Sequence, residues 1–149
     1  MDLKSLVARY QNASNAIYRS LNVILKEKVH SDITTDQFST LNQILKQEQC
    51  TSTDIASAFG IGKSAVTAQI NRLHAKGLIK RKRDEADRRV IYLSVTDKGK
   101  EFVEYTQDKV YSYIGEHLSH FEEEEIIEFM RSLEKLANLM ENNKEVDGQ

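Results

Sequence analysis

Apolar residues recur at near-helical spacing from Leu3 to about residue 29. Leu3, Val7, Tyr10, Ile17, Leu21, Ile24 and Leu25 fall on one broad stripe, which predicts a long amphipathic helix. Thr34-Thr35-Asp36-Gln37 has the form of a capping box, with Thr34 as N-cap and Gln37 three residues on. The helix it opens presents Phe38, Leu41, Ile44 and Leu45. Thr51-Ser52-Thr53-Asp54 repeats the signature ahead of a short helix through Ile55, Ala56 and Phe59, and Gly60 suits the left-handed position that ends it. A further helix follows over Gly62–Lys76. Val66, Ile70 and Leu73 share one face; Ser64, Thr67, Ala68, Asn71 and Ala75 share the other, with Arg72 on the flank and Gly77 as the stop.

The period then shortens. Leu78–Lys82 and Val90–Val95 are rich in β-formers and alternate, with the polar stretch Arg83–Arg89 between them, which predicts a hairpin with a long basic tip. Thr96 is placed to cap a helix bearing Phe102, Val103, Val110, Tyr113, Ile114 and Leu118. Glu122–Glu125 supplies the negative charge favoured at a helix start, ahead of Ile126, Ile127, Phe129, Met130, Leu133, Leu136, Ala137 and Met140. The tail from Asn142 is polar and is expected to fray. The order is mainly α with one small β-hairpin. The terminal helices carry more apolar surface than one small core needs, so the excess must pack on the centre or on another copy of the chain.

Composition narrows this. The chain is long enough for one domain with a real core and too short for two independent ones, so 1–149 is expected to be a single domain. The absence of Pro allows long unbroken helices, and no apolar run is long enough for a membrane span. The start of the chain lacks the apolar stretch of a secretory leader, so a cytoplasmic location and no membrane partner are expected. The single cysteine, Cys50, rules out an intrachain disulfide and a Cys-rich zinc site. Charge is unevenly spread. Lys63, Arg72, Lys76, Lys80, Arg81, Lys82, Arg83, Arg88 and Arg89 lie between Gly60 and Val90 against only Asp84, Glu85 and Asp87, although the whole chain carries −2. Local positive charge in an acidic chain is a footprint of polyanion binding, because each cation near a phosphate releases counterions.

The basic stretch coincides with a helix whose outer face is small and polar, a shape that fits the major groove of double-stranded DNA. Lys63, Ser64, Thr67 and Asn71 are the candidates for base or phosphate contacts, and Arg72 for phosphate or guanine. At the hairpin tip Arg88 and Arg89 are candidates for an adjacent minor groove, where an arginine reads width and potential. Asp87, unexpected beside a polyanion, makes sense if its carboxylate fixes the Arg89 guanidinium before docking.

These residues resemble the MarR family of regulators. The pieces that match are Asp54-Ile55-Ala56, Ser64-Ala65-Val66-Thr67, Ile70-Asn71-Arg72-Leu73, Lys76-Gly77-Leu78-Ile79, Arg81 with Asp84, Asp87-Arg88-Arg89, and Leu93-Ser94-Val95-Thr96-Asp97-Lys98-Gly99. The resemblance implies a winged helix-turn-helix lobe over 34–96, flanked by dimerisation helices at 1–30 and 97–143. It also implies a homodimer, a recognition helix at Gly62–Lys76, and a wing in which Asp87 orients Arg89. A bacterial repressor on an inverted-repeat operator is the further implication, released by a small aromatic or phenolic effector bound between the dimer helices and the lobe.

Other features point less directly to function. Tyr18 and Tyr113 are candidates beside an effector pocket, although aromatics at helical spacing more often serve a core or interface. Cys50 raises the alternative of an oxidant sensor, but family members that sense through a thiol carry it in the first helix, and a buried thiol is the simpler expectation. His117 and His120 do not reproduce the ligand pattern of zinc-sensing relatives, and His30 and His74 have no evident partners. No nucleophile elbow, phosphate loop or carboxylate cluster suggests catalysis, so no catalytic residue, metal or cofactor is expected. The remaining alternative is a helical dimerisation or interaction module that keeps a winged helix without gripping DNA.

Overall fold

The structure is a computed structural model that describes residues 1–29 and 32–142. The helices are α1 (Leu3–Lys28), α2 (Thr35–Lys46), α3 (Ser52–Phe59), α4 (Lys63–Ala75), α5 (Asp97–Leu118) and α6 (Glu123–Asn142); the strands β1 (Ile79–Arg83) and β2 (Ile91–Val95) fall between α4 and α5. The chain divides into two compact units, Met1–Val110 and Tyr111–Gln149, with the boundary inside α5. His30 and the tail beyond Asn142 lie outside the described residues. Among the described residues no helix is long and apolar enough to cross a membrane.

Local chemistry sets the helix ends. The Thr51 hydroxyl accepts from the Asp54 amide while the Asp54 carboxylate accepts from the Thr51 amide, completing the capping box of α3. Those bonds, the Thr51 backbone amide foremost, hold the Asp54 carboxyl below its usual range. At the other end Gly60 sits at φ 61°, a left-handed conformation that costs glycine nothing. The box expected at Thr34 is only half formed. Thr34 accepts from the Gln37 amide, but Gln37 is buried instead of reaching back. It joins a buried stripe of Gln37, Thr40, Leu41 and Ile44, at i, i+3, i+4 and i+7, and Leu45 is left exposed.

The core gathers α2, α3, α4, the hairpin and the start of α5 around Leu41, Ile55, Val66, Leu73, Leu93 and Val103. The strands pair antiparallel, from Ile79 opposite Val95 to Arg83 opposite Ile91. The alternation expected in β1 is absent: Ile79 is buried, but Lys80 to Arg83 are all exposed. The core-side face is filled from β2 by Leu93 and Val95, and the long side chains of β1 past Ile79 reach solvent. Cys50 is fully buried, and its carbonyl accepts from the Leu93 amide at 2.7 Å.

The joint between helix, hairpin and α5 is tight. The Leu78 carbonyl accepts from the Thr96 amide at 3.0 Å. The Thr96 hydroxyl donates to the Gly77 carbonyl at 2.7 Å and accepts from the Gly99 amide at 3.0 Å, which makes Thr96 the cap of α5. A Cβ added at Gly99 would lie 2.1 Å from the Leu78 oxygen and 2.6 Å from Val95 Cγ1.

The terminal helices behave differently. In α1 only Ile24 and Leu25 are buried, while Leu3, Val7, Tyr10 and Ile17 are exposed. No residue of α6 is buried, and Ile127, Phe129, Met130, Leu133, Leu136 and Met140 remain open. Among the described residues these apolar side chains remain exposed.

Gly99→Ala forces backbone or Val95 to move, and overpacking of this kind costs about 1–3 kcal/mol or more. Denaturant unfolding is expected to show that loss, whereas Gly62→Ala, with no atom within 4 Å of the added Cβ, lacks any packing penalty. Equal stability of Gly99→Ala and the parent chain contradicts the joint.

Candidate nucleic-acid interface

α4 begins at Gly62, which offers no side chain to cap the helix. The first-turn amides therefore face outward as potential donors to an anion. Val66, Ile70 and Leu73 anchor the helix in the core. The side chains expected to meet DNA, Lys63, Ser64, Thr67, Asn71 and Arg72, are all exposed. Ser64, Thr67 and Asn71 follow one another at i, i+3 and i+7 along the outer face, so small polar groups line the surface that would approach base edges.

The hairpin tip is held by its own hydrogen bonds. The Asp84 Oδ1 accepts from the Ala86 and Asp87 amides at 2.7 and 3.2 Å, and its Oδ2 accepts from the Tyr92 hydroxyl at 2.7 Å. The Asp84 amide donates to the Val90 carbonyl at 2.9 Å, which closes the loop, and Arg83 Nη1 donates to the Arg88 carbonyl at 2.9 Å. The bonds to its carboxylate, from the Tyr92 hydroxyl foremost and then the Ala86 and Asp87 amides, lower the Asp84 pKa, and the Tyr92 bond raises that of Tyr92.

The expected pairing of Asp87 with Arg89 is present. Arg89 Nε and its amide donate to Asp87 Oδ1 at 3.1 Å, and Nη2 donates to Oδ2 at 3.2 Å. The carboxylate engages one edge of the guanidinium, and the Arg89 side chain is 92% exposed. The bonds from Arg89 lower the Asp87 pKa. An ion pair this exposed adds little to stability. What it restricts is the direction of the arginine. Arg88 is exposed beside it, its carbonyl engaged by Arg83.

Sequence reasoning assigned no contact role to β1 or to the Asp84–Tyr92 pair. Lys80, Arg81, Lys82 and Arg83 form an exposed basic strand from α4 to the tip, and Arg81 Nη2 donates to Asn71 Oδ1. The four-cation run was the available signal. The alternation predicted for the strand does not single out these cations, because all four are exposed.

The other candidates lie elsewhere. In the first unit, Tyr18 donates from its hydroxyl to Asp36 Oδ2 at 2.9 Å and so ties α1 to the start of α2. In the second, the Tyr113 ring lies tilted against that of His117 with centroids 4.4 Å apart, and His117 Nδ1 lies 2.8 Å from the Tyr113 carbonyl. His120 and His74 are exposed. Among the described residues no three His, Cys, Asp or Glu side chains are grouped to hold a metal ion. Burial, reinforced by Asp54, pushes the Cys50 thiol up to about 11. That is the opposite of the exposed, electropositive setting a reactive thiol needs.

A helix with a polar outer face, followed by a basic hairpin whose tip presents a braced arginine, defines a winged helix-turn-helix protein of the DNA-binding class. Known proteins agree. A model of the MarR family matches residues 31–90. The transcriptional repressor MdtR of Bacillus subtilis (strain 168) is 29% identical over 140 residues, spanning 93% of this chain and 90% of that protein. Streptococcus pneumoniae FabT, solved in complex with DNA, superposes with a TM-score of 0.79 at 25% identity over 95% of this chain and 99% of that one. The S. aureus MepR–DNA complex gives 0.74 at 26% identity over 87% and 96%. The chain is thus similar to the MarR family over residues 31–90 and shares the winged-helix fold of these neighbours.

Because Asp84 and Asp87 have depressed pKa values, the wing's bonds are complete at neutral pH. They are lost only as pH falls through those depressed values, below the usual carboxylate range. Carboxyl titration by NMR is expected to place both midpoints there. Tyr92→Phe should move the Asp84 midpoint up, and Arg89→Ala the Asp87 midpoint. Ordinary midpoints that neither variant shifts count against this network.

Proposed function

We propose that this protein is a sequence-specific DNA-binding transcriptional regulator that grips duplex DNA as a homodimer. In each copy α4 enters the major groove and Arg89 the adjacent minor groove. The observation that carries this reading is Arg89, extended into solvent and braced on one edge by Asp87. A guanidinium fixed in direction before docking loses less freedom on binding, and it suits the negative potential of a narrow minor groove. The DNA complexes of FabT and MepR support DNA as the partner.

Dimer formation covers the exposed apolar residues of α1 and α6, which a lone chain leaves in water. A two-fold dimer places its recognition helices about 34 Å apart, so the operator is an inverted repeat with half-sites about 10 bp apart. On this reading 34–96 form the DNA-binding lobe, 1–30 and 97–143 the dimerisation region, and the protein works in the bacterial cytoplasm. The repressor name of MdtR favours repression. A small aromatic or phenolic effector, contacting Tyr18 or Tyr113, would release DNA by binding better to a state with a different helix spacing. The interaction-module alternative needs exposed large apolar side chains on the outer face of α4, where Ser64, Thr67 and Asn71 stand instead. The oxidant-sensor alternative needs a reactive Cys50, which is buried with a raised pKa.

Affinity for duplex selected by the protein from random sequence should fall steeply with salt, since each neutralised phosphate contributes a logarithmic slope of about −0.9. Arg89→Ala should lower affinity by about tenfold or more, equivalent to about 1.4 kcal/mol. Asp87→Ala should lose less, because the charge remains and only its aim is relaxed. Flat salt dependence, or an unaffected Arg89→Ala variant, contradicts the reading.

A further inference from the structure

We propose that Asn71 is a positioning residue rather than a base reader: it aims the Arg81 guanidinium at a backbone phosphate on the ridge between the two grooves. The inference rests on the DNA-binding reading above and assigns two of its residues.

The register of the hairpin comes first. Cross-strand partners share a face of the sheet, so Ile79, Arg81 and Arg83 lie on the side of Val95, Leu93 and Ile91. Leu93 and Val95 are buried on that side; Lys80 and Lys82 lie on the other, with Ser94 and Tyr92. Only two of the four cations on β1 therefore share the core-side face. Arg83 is engaged with the Arg88 carbonyl. Arg81, opposite the buried Leu93, is itself exposed and meets Asn71 on the outer face of α4.

The hydrogen-bonding inventory comes second. An Asn reads adenine by accepting from N6 and donating to N7, which uses both ends of its amide. Here Oδ1 accepts from a charged guanidinium, and such bonds are roughly twice as strong as neutral ones. Oδ1 keeps a second lone pair, but turning the amide so that both its ends meet an adenine edge would strain or break the bond to the guanidinium. Arg81, for its part, has five donors and gives only one to Asn71, so the others remain for a paired contact with phosphate oxygens.

The path of the chain comes third. Three residues separate α4 from β1, which runs to the tip that carries Arg89. An element that links a helix in one groove to a tip in the next must cross the phosphates between them. The exposed basic run Lys80–Arg83 lies on that crossing.

The test compares the full-length protein with Asn71→Ala, Arg81→Ala and the double variant. Two probes are used: a duplex selected by the parent protein from random sequence, and an unselected duplex of the same length. Both side chains are exposed, and retained thermal unfolding temperature verifies that each variant is folded. Arg81→Ala should reduce the salt slope by about one phosphate. Asn71→Ala should weaken both probes by a similar factor, about three- to tenfold, of the size expected for a lost positioning bond. It should leave the selected sequence unchanged, and in the Arg81→Ala background it should cost less than about twofold, since coupled residues are not additive. A changed base preference in Asn71→Ala, multiplying losses, or an unchanged affinity in either single variant overturns the proposal while the DNA-binding reading stands. Failure of the parent protein to bind either probe in a salt-dependent way overturns the reading on which it rests.

Discussion

The Leu78 carbonyl is the fixed point of the lobe. Thr96 donates its amide to it, the Gly99 backbone packs against it, and the Thr96 hydroxyl ties both to the end of α4. Lys98 adds a bond from its ammonium to the Lys76 carbonyl at 2.9 Å. Helix α4, the hairpin and α5 thus leave one joint in set directions. Because the joint is made of backbone and a residue without a side chain, it has little room to relax. The spacing between the outer face of α4 and the wing tip is therefore a property of the packed core, not of a loop.

On this rigid base the polar chemistry is arranged for presentation rather than for stability. Asp84 uses three hydrogen bonds to shape the tip, and Asp87 uses its carboxylate to direct Arg89. A negative charge beside a polyanion is unfavourable by itself. It is tolerable where it converts a wandering guanidinium into one with a fixed heading, since ordering a long side chain on binding costs about 0.5–1.5 kcal/mol. The same division runs along α4: three apolar residues fasten it, and an outer row of small polar groups allows close approach.

Much of this was legible in the sequence because it is local. The Thr51 box, the Gly60 stop, the Thr96 cap and the Asp87–Arg89 pair all join residues a few positions apart, and each appears as the pattern implies. What escaped depends on distant partners. Gln37 looked like a capping residue but is turned into the protein, where its Oε1 has no hydrogen-bond partner among the described residues. Asn71 looked like a free reader because nothing in the sequence brings Arg81 to it; only the hairpin register does. The α6 stripe shows an amphipathic helix in sequence, but that it lies uncovered is visible only in three dimensions.

The central claim, that each copy of the chain grips two neighbouring grooves at once, is tested most directly by chemical protection of bound DNA. Guanine N7 reports the major groove and adenine N3 the minor groove. The account predicts two patches of major-groove protection centred about 10 bp apart. Each should be flanked by minor-groove protection that disappears with Arg89→Ala while the major-groove patches persist. A single unpaired patch, or minor-groove protection identical in that variant, contradicts it.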